Sequence, residues 1–299
     1  MPEVKEIALP EMAEMGVAAE GSKMAFLKDN SVAVLPTFDP FHDQRFYVDI
    51  FNKGQKPFEY KIQKEDSWIE ISEEKAEIED EKRLFVSINW AKVPKGKAKG
   101  SFRIKGTGKE LKVEVPVRNL VEGNIKGFLE SNGYISIEAA NFSENIKKSG
   151  QGWKLIPNLG RTGAAMASFP ESPVKKPFSD DNPYLAYNFF TYEAGKVEAT
   201  FYLSPTLDFR NEGGLHFAVS VDGNEPKLIN MHKDGKEDWD TMVSNNITKV
   251  STTLDLQEAG NHSLKIWAIE SGVVLQKIVL TTGDLKESYL GPPESAKVE

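Results

Sequence analysis

The sequence predicts an all-β chain built as two β-sandwich domains, an immunoglobulin-like sandwich followed by a jelly-roll. From Ser31 onward, apolar and polar residues alternate with a period of two in one short stretch after another. Turn signals such as Asn52-Lys53-Gly54, Gly106-Thr107-Gly108 and Asp222-Gly223 separate these stretches. At 299 residues the chain is long enough for each of two domains to bury its own core.

Composition narrows the function classes. With 39% hydrophobic residues the chain suits a β protein with many solvated strand faces, and no apolar run approaches a membrane span. The first residues, M-P-E-V-K-E, lack the basic and apolar regions of a signal peptide, so the chain reads as cytoplasmic or as a mature piece of a longer protein. Cysteine is absent, which removes disulfides and thiol chemistry. A net charge of −8 argues against nucleic acid and gives no long-range attraction for an acidic polysaccharide. The acid-rich run from Glu65 to Glu81 and the lysine-rich run from Lys92 to Lys112 read as solvated strand faces and lysine-blunted edges.

Residues 1–30 read as an extended leader to a neighbouring domain upstream. Ile7, Leu9, Met12, Met15 and Val17 show a ragged helical period that Pro10 and Gly16 break. Met24 and Phe26 belong to the same apolar set, which an upstream domain would cover. Residues 31–120 form the first sandwich. Its strands are marked by Phe46, Val48 and Ile50, by Tyr60 and Ile62, by Trp68, Ile69 and Ile71, and by Leu84, Val86 and Ile88. Phe102 and Ile104, then Leu111, Val113, Val115 and Val117, complete it. Trp68 and Trp90 read as core plugs rather than sugar platforms. Polar residues and glycines from Asn119 to Gly133 place the boundary, so 121–299 is the C-terminal jelly-roll.

In that second domain the strands run through Ile135 and Ile137, Tyr184 to Phe190, Lys196 to Leu203, Leu215 to Val221 and Lys227 to Asn230. They continue through Thr248 to Leu256, Ser263 to Ile269 and Val274 to Thr281. Gly291-Pro292-Pro293 is expected to end regular structure, since neither proline donates to a ladder. The stretch G-Y-I-S-I-E-A-A-N-F-S-E-N (Gly133 to Asn145) resembles the first strand of jelly-roll carbohydrate-binding modules, which share the galactose-binding fold. In those modules two acids straddling an alanine help hold a structural calcium. Here Glu138 stands at the first position and Ala140 at the second, and one carboxylate is poor ligation for an ion that prefers six to eight oxygens. No metal site and no cofactor are expected.

Further motifs resemble one family. They are G-W-K-L-I-P-N-L-G-R-T-G-A-A-M-A-S-F-P (Gly152 to Pro170), F-Y-L-S-P-T-L-D-F-R (Phe201 to Arg210), A-G-N-H-S-L-K-I-W (Ala259 to Trp267) and Y-L-G-P-P-E-S (Tyr289 to Ser295). Together they resemble the C-terminal domain of glycoside hydrolase family 115, the xylan α-glucuronidases. M-G-V-A-A-E-G-S (Met15 to Ser22) and D-I-F-N-K-G (Asp49 to Gly54) resemble the family's linker to its catalytic barrel. The resemblance implies removal of glucuronic acid, often 4-O-methylated, from glucuronoxylan by the parent enzyme, with catalytic residues in domains upstream. No catalytic residue is therefore carried onto this chain.

The residues themselves agree. Glycoside hydrolysis needs two carboxyl groups flanking the scissile bond, and pairs such as Asp180 and Asp181, or Asp238 and Asp240, read as turn residues. His42, His216, His232 and His262 lack metal-site spacing and read as solvated or locally bonded. The informative polar cluster is E-D-W-D-T-M-V-S-N-N-I-T (Glu237 to Thr248). Trp239 with Asn245 and Asn246 either forms a sugar-binding loop, the indole against a pyranose and the amides on its hydroxyls, or closes one end of the sandwich with the asparagines capping turns. The resemblance places Trp239, Val243 and Asn246 on positions typical of the family.

The expectation is a non-catalytic C-terminal fragment with a structural, substrate-flanking or dimerising role, in the periplasm or outside a bacterial cell. Its partners would be the upstream catalytic domain, glucuronoxylan or a related polysaccharide, and a second copy of the chain. Neither nucleic acid nor a membrane is expected. The alternatives are a free-standing carbohydrate-binding protein, which needs an exposed aromatic platform, and an enzyme in its own right, which needs two convergent carboxylates.

Overall fold

A computed structural model describes residues 8–22, 25, 32–119, 125–148, 150–169, 178–179, 181–209, 211–235 and 238–299. The chain divides into two compact units, residues 1–123 and 124–299, and both are built from strands.

In the first unit the strands are β1 (Met15–Ala19), β2 (Val32–Val34), β3 (Phe46–Asn52), β4 (Phe58–Lys64), β5 (Ile69–Ile71), β6 (Lys75–Ile78), β7 (Glu81–Ile88), β8 (Gly96–Gly106) and β9 (Lys109–Asn119). One sheet runs β1-β3-β7-β5 and the other β2-β9-β8-β4-β6. The alternating residues enclose a single core: Val48 and Ile50 from one sheet meet Tyr60, Phe102, Ile104 and Val113 from the other. Trp68 is buried in this core, and Trp90 packs against it. Gly100 makes room for Trp68, because a Cβ there would lie 2.3 Å from the indole.

Within the leader expected over residues 1–30, residues 15–19 form an edge strand of the first sheet. Met15 to Ala19 pair antiparallel with β3, from Met15 opposite Asn52 to Ala19 opposite Val48, and bury Met15, Val17 and Ala19. The chain before it follows the β3–β4 turn, with the Gln55 amide donating to the Pro10 carbonyl at 3.1 Å. Lys53 pairs with Glu14 at 2.6 Å. The period of two was hidden because the intervening positions are the small Gly16 and Ala18. Gly16 has to be small, since a Cβ there would lie 2.3 Å from the Phe51 ring. Leu9 and Met12 remain exposed, while Met24 and Phe26 lie outside the described residues.

The second unit contains β10 (Gly127–Leu129), β11 (Tyr134–Glu138), β12 (Glu144–Ile146), β13 (Gly152–Ile156), β14 (Ala165–Phe169), β15 (Tyr184–Thr191), β16 (Gly195–Leu203), β17 (His216–Val221) and β18 (Lys227–Asn230). After a short helix α1 (Trp239–Asn245) come β19 (Thr248–Leu256), β20 (Gly260–Ala268), β21 (Val274–Thr281) and β22 (Lys297–Val298). One sheet runs β18-β17-β20-β15-β10-β22, with β12 also on β15. The other runs β13-β14-β21-β16-β19, with β11 also on β21. The chain passes between the sheets repeatedly, as a jelly-roll does. Phe201 and Phe217 meet across them edge to face, ring centroids 5.3 Å apart. The Asp222-Gly223 hairpin has both residues at positive φ, 52° and 74°, as that dipeptide predicts.

Two strands lie where the sequence predicts irregular chain. β10 falls inside the boundary stretch Asn119 to Gly133, and three buried residues are too few to display a period. β22 follows Gly291-Pro292-Pro293 and pairs with β10, so the prolines interrupt regular structure without ending it.

Two measurements check this fold. Amides of Gly16 to Ala19 should exchange as slowly as those of β3, and exchange at the rate of free peptide would remove β1 from the sheet. Gly100→Val should cost about 2 kcal/mol by overpacking against Trp68, and an unchanged thermal midpoint would contradict that contact.

Candidate functional site

The stretch singled out around Trp239 is a two-turn helix rather than a loop. Asp238 caps its start, accepting from the Thr241 amide and hydroxyl at 3.0 Å each. Those bonds, the backbone one first, hold the Asp238 carboxyl below the ordinary aspartate range. Asn246 ends α1 in the left-handed region at φ 53°, a conformation asparagine tolerates better than most residues. Trp239 is 40% exposed and Val243, one turn on, is 50% exposed. Trp239 therefore leaves a large part of its indole in solvent and is not part of the buried core.

The two asparagines are fixed through their backbones. The Asn245 carbonyl accepts from Arg161 Nε at 2.9 Å and Nη2 at 2.8 Å. The Arg161 guanidinium lies 4.0 Å over the Tyr289 ring and donates to the Tyr289 carbonyl through Nη1. The Asn246 carbonyl accepts from Gln276 Nε2 at 3.1 Å, and Gln276 also receives the Arg161 amide at 3.2 Å. This leaves the side-chain amides of Asn245 and Asn246 without partners among the described residues. Trp239 and Asn245 stand six residues apart, about 9 Å along the axis. A ligand touching both must therefore be longer than a single sugar ring.

Beside this helix, Lys277 and Glu138 face each other directly across β21 and β11. The Lys277 side chain is 3% exposed, and its ammonium meets Glu138 Oε1 at 3.1 Å. It also donates to the Pro292 carbonyl at 3.0 Å and the Leu290 carbonyl at 3.2 Å. Three donors thus meet three oxygens, which offsets the desolvation of a buried charge. Thr162 Oγ1 donates to the same carboxylate at 2.8 Å. The Glu138 carboxylate, at the position of a calcium ligand in carbohydrate-binding modules of this type, is therefore already occupied by the chain's own cation. No group of three or more metal-ligating side chains is assembled among the described residues.

Other polar groups that could carry chemistry act as ties. Thr191, His262 and Asp222 follow the order of a nucleophile, base and acid, at 3.0 and 2.7 Å. Thr191 is fully buried and Phe189 stacks on the imidazole, so no substrate can reach the hydroxyl. His216 Nε2 accepts from the Asn230 amide at 3.0 Å, which leaves Nδ1–H to donate to Glu270 at 3.1 Å. His42 lies 2.8 Å from Asp39, and His232 donates to the Thr206 carbonyl at 2.8 Å. Asp181 and Asp240 are exposed, and Asp180 lies outside the described residues.

The sequence model of the glycosyl hydrolase family 115 C-terminal domain matches residues 127–294. The chain belongs to this family. Among solved structures, a family 115 4-O-methyl-α-glucuronidase with specificity for decorated arabinogalactans is 22% identical, with a TM-score of 0.40. The match covers 56% of this chain and 20% of that one, so the chain spans about a fifth of that enzyme's length. A family 35 carbohydrate-binding module from Clostridium thermocellum is 18% identical, with a TM-score of 0.33, covering 49% of this chain and 97% of the module. A Podospora anserina mannanase carrying a family 35 module is 12% identical, with a TM-score of 0.34, covering 52% and 29%. No curated protein matches the chain.

Within this family 115 domain, sequence reasoning missed the residues that hold α1 in place: Arg161, Gln276 and Lys277. The usable signal was Gln276-Lys277 inside the apolar run V-V-L-Q-K-I-V-L, since polar residues there must find buried partners.

Two outcomes follow for this domain. Because Lys277 already answers Glu138, calcium or a chelator should move the thermal midpoint by less than about 1 °C; a shift of several degrees would contradict this. The Asp238 carboxyl should titrate below the ordinary range by carbon-13 NMR. Its capping contribution is then present above the unfolded-state value and lost as pH falls through the folded one. A midpoint at or above the ordinary value would refute the cap.

Proposed function

We propose that the chain is the non-catalytic C-terminal part of a family 115 enzyme that removes glucuronic or 4-O-methylglucuronic acid from glucuronoxylan. The family match over residues 127–294 carries this reading. The described carboxyl groups support it as well. Glu138 is committed to Lys277, Glu270 to His216 and Asp222 to His262, so these three are held by partners of the chain itself. The chain would work beside an upstream catalytic domain, flanking the polysaccharide or joining a second copy of itself. The enzyme would act in the periplasm or outside the cell, and no described helix is long and apolar enough to cross a membrane.

The exposure of Trp239 favours a second reading, in which the same domain binds carbohydrate directly. The half-open indole stacks on the apolar face of one sugar, and the unpartnered amides of Asn245 and Asn246 bond hydroxyls of its neighbours along the same glycan.

Purified protein should release no glucuronic acid from glucuronoxylan, and release that survives contaminant controls would overturn the non-catalytic assignment. Binding of a glycan that shifts the amides of α1 should fall at least about tenfold in Trp239→Ala, the loss expected from one stacking contact worth roughly 1.4 kcal/mol. Unchanged binding would remove Trp239 from the site.

A further inference from the structure

The solvated face of the second unit's β13-β14-β21-β16-β19 sheet carries a groove that the α1 reading leaves unused. Its floor comes from strand alternation: Phe201 and Val250 point into the core, so Thr200, Tyr202, Lys249 and Ser251 point outward. Thr200 stands directly opposite Ser251, with hydroxyl oxygens 2.8 Å apart. Tyr202 stands opposite Lys249, whose ammonium lies 5.0 Å over the phenol ring. Residues 283–292 cross the sheet and form the far wall, where Leu285 packs on Tyr202 and Val279. The cleft between floor and wall measures about 370 Å³, within the usual size of small-ligand sites, roughly 300–1,000 Å³.

We infer that this groove binds a neutral, hydroxyl-rich oligosaccharide segment, in addition to any contact made at Trp239. The inference rests on the reading of the domain as carbohydrate-binding and names the ligand's charge and place. The floor sets the paired Thr200 and Ser251 hydroxyls beside the Lys249 ammonium, so donors and acceptors lie side by side as a hydroxyl-rich ligand requires. Ser288 on the wall adds another hydroxyl. The apolar lining is limited to Tyr202, Leu285 and Pro292, which leaves little room for large apolar side chains of a peptide. Glu198, Asp284 and Glu287 oppose Lys249 and Lys286, three carboxylates against two ammonium groups. An anionic sugar therefore gains nothing from the local field, and a neutral one loses nothing.

The test titrates nitrogen-15-labelled whole chain with xylohexaose, mannohexaose and cellohexaose as neutral probes, and with glucuronic acid as an anionic one. At least one neutral probe should shift the amides of Thr200, Tyr202, Lys249, Ser251 and residues 284–288 to saturation, while glucuronic acid leaves them in place. The double variant Thr200→Val, Ser251→Ala should weaken that binding at least tenfold, and Trp239→Ala should leave it unchanged. Both variants lie on solvated surface, and unchanged dispersion of the remaining amides reports that they fold. Shifts confined to α1 and lost in Trp239→Ala would overturn the groove while keeping the helix site. Groove shifts produced by glucuronic acid alone would overturn the neutral ligand. No shift with any probe would overturn the groove together with the carbohydrate-binding reading on which it rests.

Discussion

One buried ammonium organises the outer face of the second sandwich. Lys277 reaches across its register partner Glu138 and takes two backbone carbonyls from residues 290 and 292, a stretch with no strand pairing of its own. A charge taken out of water demands full satisfaction, and here the acceptors come from two parts of the chain far apart in sequence. The C-terminal segment is therefore fixed on the sheet by a polar requirement as well as by the packing of Leu285 on Tyr202 and Val279. Ser295 and Glu294 continue the same attachment, through the Ser136 amide at 3.0 Å and the Glu138 amide at 2.9 Å. Losing Lys277 would leave a half-buried carboxylate and two unanswered carbonyls, a cost of about 3 kcal/mol.

What lies on this face depends on that attachment. Once residues 284–292 are held, Tyr289 offers its ring and carbonyl to Arg161, and Arg161 in turn fixes the last carbonyl of α1. Helix α1 is too short to be stable alone and buries none of its residues, so its position is set by these bonds and its caps. The same segment supplies one wall of the polar groove. The two surfaces proposed to bind carbohydrate are thus presented by one braced structure, while the sandwich core beneath supplies rigidity. The buried Thr191–His262–Asp222 chain does comparable work at another place, tying β15, β20 and the β17–β18 turn, and shows that a triad-like order of residues need not signify catalysis.

The architecture was readable in the sequence wherever alternation ran for four residues or more. Phe46 to Ile50, Leu111 to Val117 and Lys196 to Leu203 announce strands because a half-buried strand needs a period of two. β1 was not readable because Gly16 and Ala18 blur the contrast between faces, although Gly16 is small for a packing reason, the Phe51 ring. β10 and β22 are too short to carry a pattern at all. At the candidate site, Trp239, Asn245 and Asn246 could be picked out by residue type. Their helix could not be, because it is defined by an aspartate cap and a left-handed asparagine rather than by an apolar stripe. Arg161 lies 84 residues from the carbonyl it holds, a distance no local pattern reports.

The Lys277 ammonium holds the C-terminal segment on the sheet, and native-state amide exchange in Lys277→Met tests this most directly. The Gly291 and Ser295 amides, which donate to the Ser288 and Ser136 carbonyls, should exchange at least about tenfold faster, the effect of roughly 1.4 kcal/mol of lost local stability. Amides in the centres of β15 and β20 should keep a larger share of their protection. Unchanged exchange at Gly291 and Ser295 in the folded variant would contradict the claim.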